Sequence, residues 1–422
     1  MKIAVISDLH FGYGYGTELE LDSFENANEA VQAAVASGAD IILVPGDIFD
    51  SRFPRTEVLA NAAKVLARPL LEKNRGVKLA GCSKKLRRIA RRSLQHMPVV
   101  AIHGTHERRH GANTIEALEN AGMLIHLHKE TICLEKGGVK VAIHGMSGVP
   151  ERYAKQALEE WNPQPMPDCA NVLMLHQSID PFVYSPLEPA MLKLGDLPKG
   201  FDLIIDGHLH IHGVEKVGDT KKSGGGMTAS TPLVFPGSTV ITQFEENEAN
   251  SEKGFYLADI EKGEKPKIKF VPLKNSRKFF LREIKAGAML RTRMEREIDA
   301  ILANGTDNFA KRPVVKIKIT GNASDVVEQE LKEIEKEYAG RLLLKIAKQL
   351  ESAELESKIE FLRSVREQKL SVEEMGLQLL RKNLEELKFA GGFDCESMFG
   401  ILVDGNVDNA FNILTGGQKT LK

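Results

Sequence analysis

The sequence predicts an α/β protein whose core sheet is parallel, and three observations carry that reading. Short apolar runs rich in Val, Ile and Leu recur along the first half of the chain, at residues 2–6, 40–45, 97–102, 171–175 and 201–205. Near-continuous apolarity of this kind marks strands buried on both faces. An amphipathic pattern over residues 22–36 separates the first two runs, giving a strand–helix–strand unit that requires parallel strands. Each run breaks off at Asp or His, and the carboxyl ends of parallel strands are where open α/β sheets bind ligands.

Taken in order, residues 2–6 end in Ser7-Asp8-Leu9-His10. Asp8 and His10 are two apart, so both side chains can enter one crevice, and an oxygen beside an imidazole suits a divalent transition ion. In residues 22–36, Phe24, Ala27, Val31 and Ala34 form an apolar stripe at helical spacing. Residues 40–45 end in Gly46-Asp47-Ile48-Phe49-Asp50. A second helix is expected over 55–71, with Val58, Leu59, Ala62, Val65, Leu66 and Leu70 on a broad apolar face. That face is either core or a contact between two copies of the chain, with 114–121 as the partner helix.

Residues 73–92 contain nine Lys or Arg and no acid. From Lys84 onward a helix is expected, with Leu86, Ile89, Ala90 and Leu94 on one face and Lys84, Lys85, Arg87, Arg88, Arg91 and Arg92 on the others. A solvated helix normally interleaves acids for i,i+4 pairing. Their absence favours contact with a phosphate backbone.

The run 97–102 ends in His103-Gly104-Thr105-His106-Glu107. A hairpin turning at Gly137-Gly138 is expected within 131–144, and a helix over 151–161. The runs 171–175 and 201–205 end in His176-Gln177 and in Asp206-Gly207-His208-Leu209-His210. His96, His103, His126, His128 and His144 read as structural, and His212 as an exposed neighbour of the last motif. Residues 218–230 compose a flexible loop, 232–237 and 254–260 two further strands, and the acidic run 245–252 a solvated loop.

Composition shifts near 272–276. Beyond it, strands at 278–283, 314–319 and 341–346 alternate with helices at 288–302 and 323–338, a separate small α+β module. Helices at 353–366 and 371–387 follow, the second with a surplus of apolar residues in Met375, Leu377, Leu379, Leu380, Leu384 and Leu387. With 406–414 they read as a surface for a partner. The expected division is therefore 1–273, 274–348 and 349–422.

An apolar content of 42% with 27% charged residues is that of a soluble globular protein. The formal net charge of −1 gives no overall attraction to a polyanion, so any such site must be a local patch. Cys82, Cys133, Cys169 and Cys395 lack C-x-x-C spacing, which argues against a zinc knuckle or a disulfide scaffold and fits a reducing compartment. The chain enters a strand at once, without a charged leader or an apolar span, so a cytoplasmic protein away from membranes is expected.

A core histidine usually arrives singly. Five strand ends that converge on Asp8, His10, Asp47, His106, His176, His208 and His210 are a metal site. Their order, D-x-H, G-D-x-x-D, G-x-H-E, H and G-H-x-H, resembles the calcineurin-like metallophosphoesterases. Within these, the length and the opening D-L-H-F-G are similar to the double-strand-break repair nucleases of the meiotic-recombination-eleven family, archaeal type, whose bacterial counterpart is the SbcD exonuclease subunit.

The resemblance implies a two-sheet sandwich flanked by helices, an α+β capping domain that holds DNA over the site, and a helical tail. It implies a homodimer and a coiled-coil, SMC-like ATPase partner with a zinc hook, of the radiation-sensitivity-fifty family. Two divalent ions are implied, manganese by the family's habit, with Asp47 bridging. Asp8, His10 and His210 then serve one ion, and His176 and His208 the other. Thr105 stands where the pattern has Asn, and a neutral hydroxyl is the weaker ligand. His106 is implied as general acid or transition-state stabiliser rather than ligand, while Asp50 and Glu107 orient ligands. Asp50 stands where relatives often carry His. The activity implied is double-strand exonuclease and single-strand endonuclease. A phosphodiesterase for a small metabolite and a non-catalytic subunit that tethers DNA ends are the alternatives; the first leaves the basic stretch and the added module unused.

Overall fold

The structure is a computed structural model of the 422-residue chain, and it describes residues 1–107, 114–183, 191–218, 230–303, 309–322, 326–351, 374, 376–377, 380–381, 394–403 and 411. The described residues fall into two compact units, one within 1–284, 291–318 and 328–347, the other within 285–290, 319–327 and 348–422.

Two sheets organise the first unit. One has six strands in the spatial order Lys267–Pro272, Gly254–Asp259, Lys2–Val5, Ile41–Pro45, Val99–Ile102 and Ile125–His126. Lys2–Val5, Ile41–Pro45, Val99–Ile102 and Ile125–His126 run parallel, as the strand–helix–strand pattern requires. The other sheet has seven, in the order Gly213–Val217, Thr231–Phe235, Leu203–Asp206, Ala170–Leu175, Val139–Gly145, Glu130–Lys136 and Lys78–Cys82.

The apolar runs are continuous because alternate residues face two different cores. Ile3 and Val5 point between the sheets, among Leu43, Ile102, Val172, Met174 and Ile205. Ala4 and Ile6 point outward, against Phe24, Ala27 and Val31 of the helix Asp22–Ala36. The outer face of the second sheet, with Leu173, Leu175 and Ile204, is covered by Ala157 and Leu158 of the helix Glu151–Trp161. The result is a helix–sheet–sheet–helix sandwich.

Three sequence expectations need correction. The helix of 55–71 stops at Leu66 and continues as a 3-10 turn, Arg68–Leu71, because Pro69 has no N–H to extend it. Its Val58, Ala62, Val65 and Leu66 are buried by the chain's own core, alongside Ile115 and Leu118 of Thr114–Asn120. The basic stretch is not one helix. Leu86–Arg88 is a 3-10 turn and Arg91–Gln95 a short helix, and Leu86 is 66% exposed rather than on a buried face. Lys84 is 4% exposed and lies 3.3 Å from Glu119 and 3.0 Å from Glu130, so it cannot meet a phosphate. The acidic run 245–252 is likewise not solvated throughout, since Glu248 is buried.

The strands Phe279–Lys285, Val314–Asn322 and Leu343–Glu351 form a three-stranded sheet in that order, accompanied by helices Leu290–Ala303 and Glu328–Tyr338. Within the first unit, Arg277 makes a two-pronged contact with Asp22, at 2.5 and 3.1 Å. Lys311 reaches Asp22 at 2.8 Å, Arg312 pairs with Glu18, and Lys316 reaches Glu245 at 2.6 Å. In the tail, Cys395–Val403 is helical. The expected helix 353–366, most of 371–387 and most of 406–414 lie outside the described residues, as do 219–229 of the expected loop. Among the described residues, no helix is long and apolar enough to cross a membrane.

Candidate metal centre

The strand ends of both sheets meet at one edge of the sandwich. Asp8, His10, Asp47 and His208 all have positive φ, at 50°, 44°, 42° and 80°. For residues with a Cβ this left-handed backbone is strained, and here it turns each side chain back over the strand ends. Close approach explains the motif glycines. A Cβ on Gly46 would stand 2.2 Å from His176 Nδ1, one on Gly104 2.1 Å from Asp47 Oδ1, and one on Gly207 2.1 Å from the Pro45 carbonyl oxygen.

The structure brings Asp8, His10, Asp47 and His210 together, with donor atoms all within 4.8 Å of one another. Asp47, His176 and His208 form a second such group, so Asp47 belongs to both. A third, His10, Asp50 and His106, lies beside the first. His10 Nε2 and His210 Nε2 face each other at 2.9 Å, and His176 Nε2 is 3.2 Å from Asp47 Oδ2.

Each imidazole is steered by its other nitrogen. His176 Nδ1 donates to the Pro45 carbonyl at 2.8 Å, which fixes its tautomer and leaves Nε2 facing Asp47. His10 Nδ1 lies 3.3 Å from Asp50, and His210 Nδ1 lies 2.6 Å from Thr242 Oγ1. His208 Nε2 meets Ser178 Oγ at 3.0 Å, while its backbone N–H donates to Asp8 Oδ1 at 3.1 Å.

Thr105 Oγ1 donates to Asp47 Oδ2 at 3.3 Å, and the His106 backbone N–H donates to Asp47 Oδ1 at 2.9 Å. His106 Nδ1 donates to the Asp50 carbonyl at 2.7 Å, leaving Nε2 at the rim, 4.0 Å from Asp47 Oδ2. Its side chain is 40% exposed, whereas those of Asp8, His10, Asp47 and His176 are buried. Glu107 points inward and accepts the backbone N–H groups of Phe49 and Gly104 at 2.6 and 2.8 Å, tying two strand ends together.

Burial is the largest influence on Asp8 and pushes its carboxyl up to about 6, against the pull of His176. At Asp47 burial acts in the same direction, yet the positive field of His176, His10 and His106 outweighs it and holds the carboxylate well below its ordinary range. His176 is raised although burial opposes its charge, because Asp47 holds the proton in place. Burial, His10 and Lys253 depress His210. Buried Asp47 and His176 thus face each other across 3.2 Å in a dry site. Oxygen and imidazole donors without thiolate fit a pair of divalent cations of the manganese, iron or zinc type.

Among the described residues, the other histidines do not join these groups. His144 bridges Thr131 and Asn171, His103 pairs with His126 at 3.0 Å, and His212 stacks on Phe270. Lys85, Arg87, Arg88, Arg91 and Arg92 are exposed, and no ion pair involves them among the described residues. Thr242, Ser178, Glu248 and Lys253 support the cluster without having been singled out in the sequence. Thr242 and Lys253 reach His210, and Ser178 reaches His208, across 30 to 43 residues, and the only local signal was a lysine closing an acidic run.

Fold and cluster together define a metallophosphoesterase. Residues 1–212 match the profile of the calcineurin-like phosphoesterases, and the chain belongs to that family. It is similar to proteins named DNA double-strand break repair protein Mre11 from Methanopyrus kandleri, 27% identical over 80% of this chain and 72% of that one, and from Sulfolobus acidocaldarius, 26% identical over 76% and 75%. The human double-strand break repair protein MRE11 is 25% identical over 80% of this chain but only 48% of its own length. The chain likewise spans only 36% of the relative from Methanosarcina acetivorans.

Proposed function

We propose that this chain is the nuclease subunit of a DNA double-strand-break repair complex, cutting phosphodiester bonds with two divalent ions, manganese by preference. The observation that carries the reading is Asp47 shared between two buried donor groups, with a half-exposed His106 at their rim. Asp8, His10, Asp47 and His210 would hold one ion and Asp47, His176 and His208 the other, with Thr105 a weak additional donor. Ions bound there supply Lewis acidity and charge neutralisation to a phosphoryl group.

The chain's own residues do the rest. Glu107 fixes the loops that carry Asp47 and His106. With Nδ1 committed to the Asp50 carbonyl, His106 gives or takes its proton at Nε2, the atom turned to the opening, as an acid for the leaving oxygen requires. Exposed Lys85, Arg87, Arg88, Arg91 and Arg92 contact the phosphate backbone. Residues 274–348 cap the DNA, and residues 349–422 meet a coiled-coil ATPase with a zinc hook. A second copy of the chain docks on this one to make a homodimer.

Cleavage of linear duplex and single-stranded DNA, compared with a generic phosphodiester dye in manganese, in magnesium and in chelator, tests the reading. DNA cleavage that needs metal is expected, and activity confined to the dye would overturn it. His106→Asn is expected to keep its manganese content while cleavage falls about 10²–10⁴-fold. Loss of metal together with activity would make His106 a ligand.

A further inference from the structure

The acidic run 245–252 places one carboxylate in the interior, behind the metal cluster. Glu248 and Lys253 are 4% and 3% exposed, and Lys253 Nζ donates to Glu248 Oε1 at 2.6 Å. The same ammonium donates to Ser238 Oγ at 2.8 Å and to the backbone carbonyl of His210 at 3.0 Å. Glu248 Oε2 accepts the backbone N–H groups of Thr242, at 3.1 Å, and of Gln243. Thr242 then sets its hydroxyl 2.6 Å from His210 Nδ1. The chain of contacts ends at His210 Nε2, which lies 2.9 Å from His10 Nε2 and 3.9 Å from Asp8 Oδ1.

We propose that Thr242, Glu248 and Lys253 are positioning residues that fix the ring and tautomer of His210, and so set the affinity of the Asp8–His10–Asp47–His210 group for a divalent cation. The inference rests on reading that group as a metal site.

The physical case has two parts. An imidazole that ligates through Nε2 must carry its hydrogen on Nδ1. A hydroxyl oxygen 2.6 Å from Nδ1 accepts that hydrogen, and the Glu248 carboxylate 3.9 Å away favours a proton on that side of the ring. Such outer partners are worth about 10–100-fold in metal affinity. Secondly, a buried ion pair returns little net stability against an apolar pair of the same shape. What this pair does is anchor the backbone of Thr242, Gln243 and His210, which holds the hydroxyl and the ring in register.

The experiment titrates manganese into the metal-stripped, full-length chain by calorimetry, for wild type, Thr242→Val, Thr242→Ala and Thr242→Ser. Metal-free thermal midpoints are measured in parallel. Valine and alanine both remove the hydroxyl, so one folded variant suffices. Each is expected to bind manganese about 10–100-fold more weakly with a metal-free midpoint near wild type, and serine to restore affinity to within a few-fold. Wild-type affinity in the valine or alanine variant overturns the proposal, whether or not the midpoint falls, because Thr242 then only packs. Failure of serine to rescue overturns it as well. Weakened manganese binding in a chain that cuts no DNA would leave this inference standing and remove the nuclease reading.

Discussion

His126 shows how one buried imidazole sets an acid limit for the metal-free protein. Burial first, and the neighbouring His103 next, push it down to about 2 from an ordinary value near 6.5. The folded chain therefore refuses a proton that the unfolded chain takes. Its contribution to stability is present above pH 6.5 and is lost as pH falls, by up to about 1.4 kcal/mol per pH unit. The metal-free thermal midpoint should drop between pH 6.5 and 4.5, and less steeply in His126→Gln; equal slopes would show that another group controls acid unfolding. At this scale the residues gathered into the cluster were legible because every member follows an apolar run. Thr242 and Lys253 were not, since a hydrogen bond to a residue from another strand end leaves no mark on local spacing. Nor does composition tell a buried Glu248 from the exposed acids around it.

Among the elements, helices with a clean stripe were read to the residue, as at Asp22–Ala36 and Glu151–Trp161. The basic stretch was not. A helical-face reading groups Lys84 with its neighbours, but Glu119 and Glu130 arrive from a distant helix and strand and take it into the interior. The two kinds of residue should therefore separate by experiment. Changing Lys85, Arg87, Arg88, Arg91 and Arg92 to Gln should weaken DNA binding and flatten its salt dependence by about 0.9 in log–log slope per lost contact. Lys84→Met should leave the slope alone and cost about 3–5 kcal/mol in urea unfolding, as breaking one side of a buried pair does. A slope indifferent to all five exposed changes would return that surface to bulk solvent.

Within the first unit, Arg277, Lys311, Arg312 and Lys316 reach the sandwich through partly buried ion pairs, beside an apolar cluster of Leu19, Phe244, Phe279, Val314 and Leu343. Sequence pattern gave the strands and helices between residues 278 and 346 but not the Arg277–Asp22 clamp, whose partners are 255 residues apart. Asp22 also begins a helix, where a carboxylate is favoured by the helix dipole, so its charge serves two elements at once. Arg277→Met should lower unfolding stability by about 3–5 kcal/mol in urea, and a change below about 1 kcal/mol would mean that Lys311 alone suffices. The left-handed backbone at Asp8, His10, Asp47 and His208 works on stability in the opposite sense. Each such residue costs on the order of 1 kcal/mol or more that glycine, and to a lesser degree asparagine, would not. A population of these genes selected only for surviving heat, with metal withheld, would drift toward glycine and asparagine at those four places. It would become hardier as it lost its chemistry, and a lineage that still carries aspartate and histidine there is held to them by use.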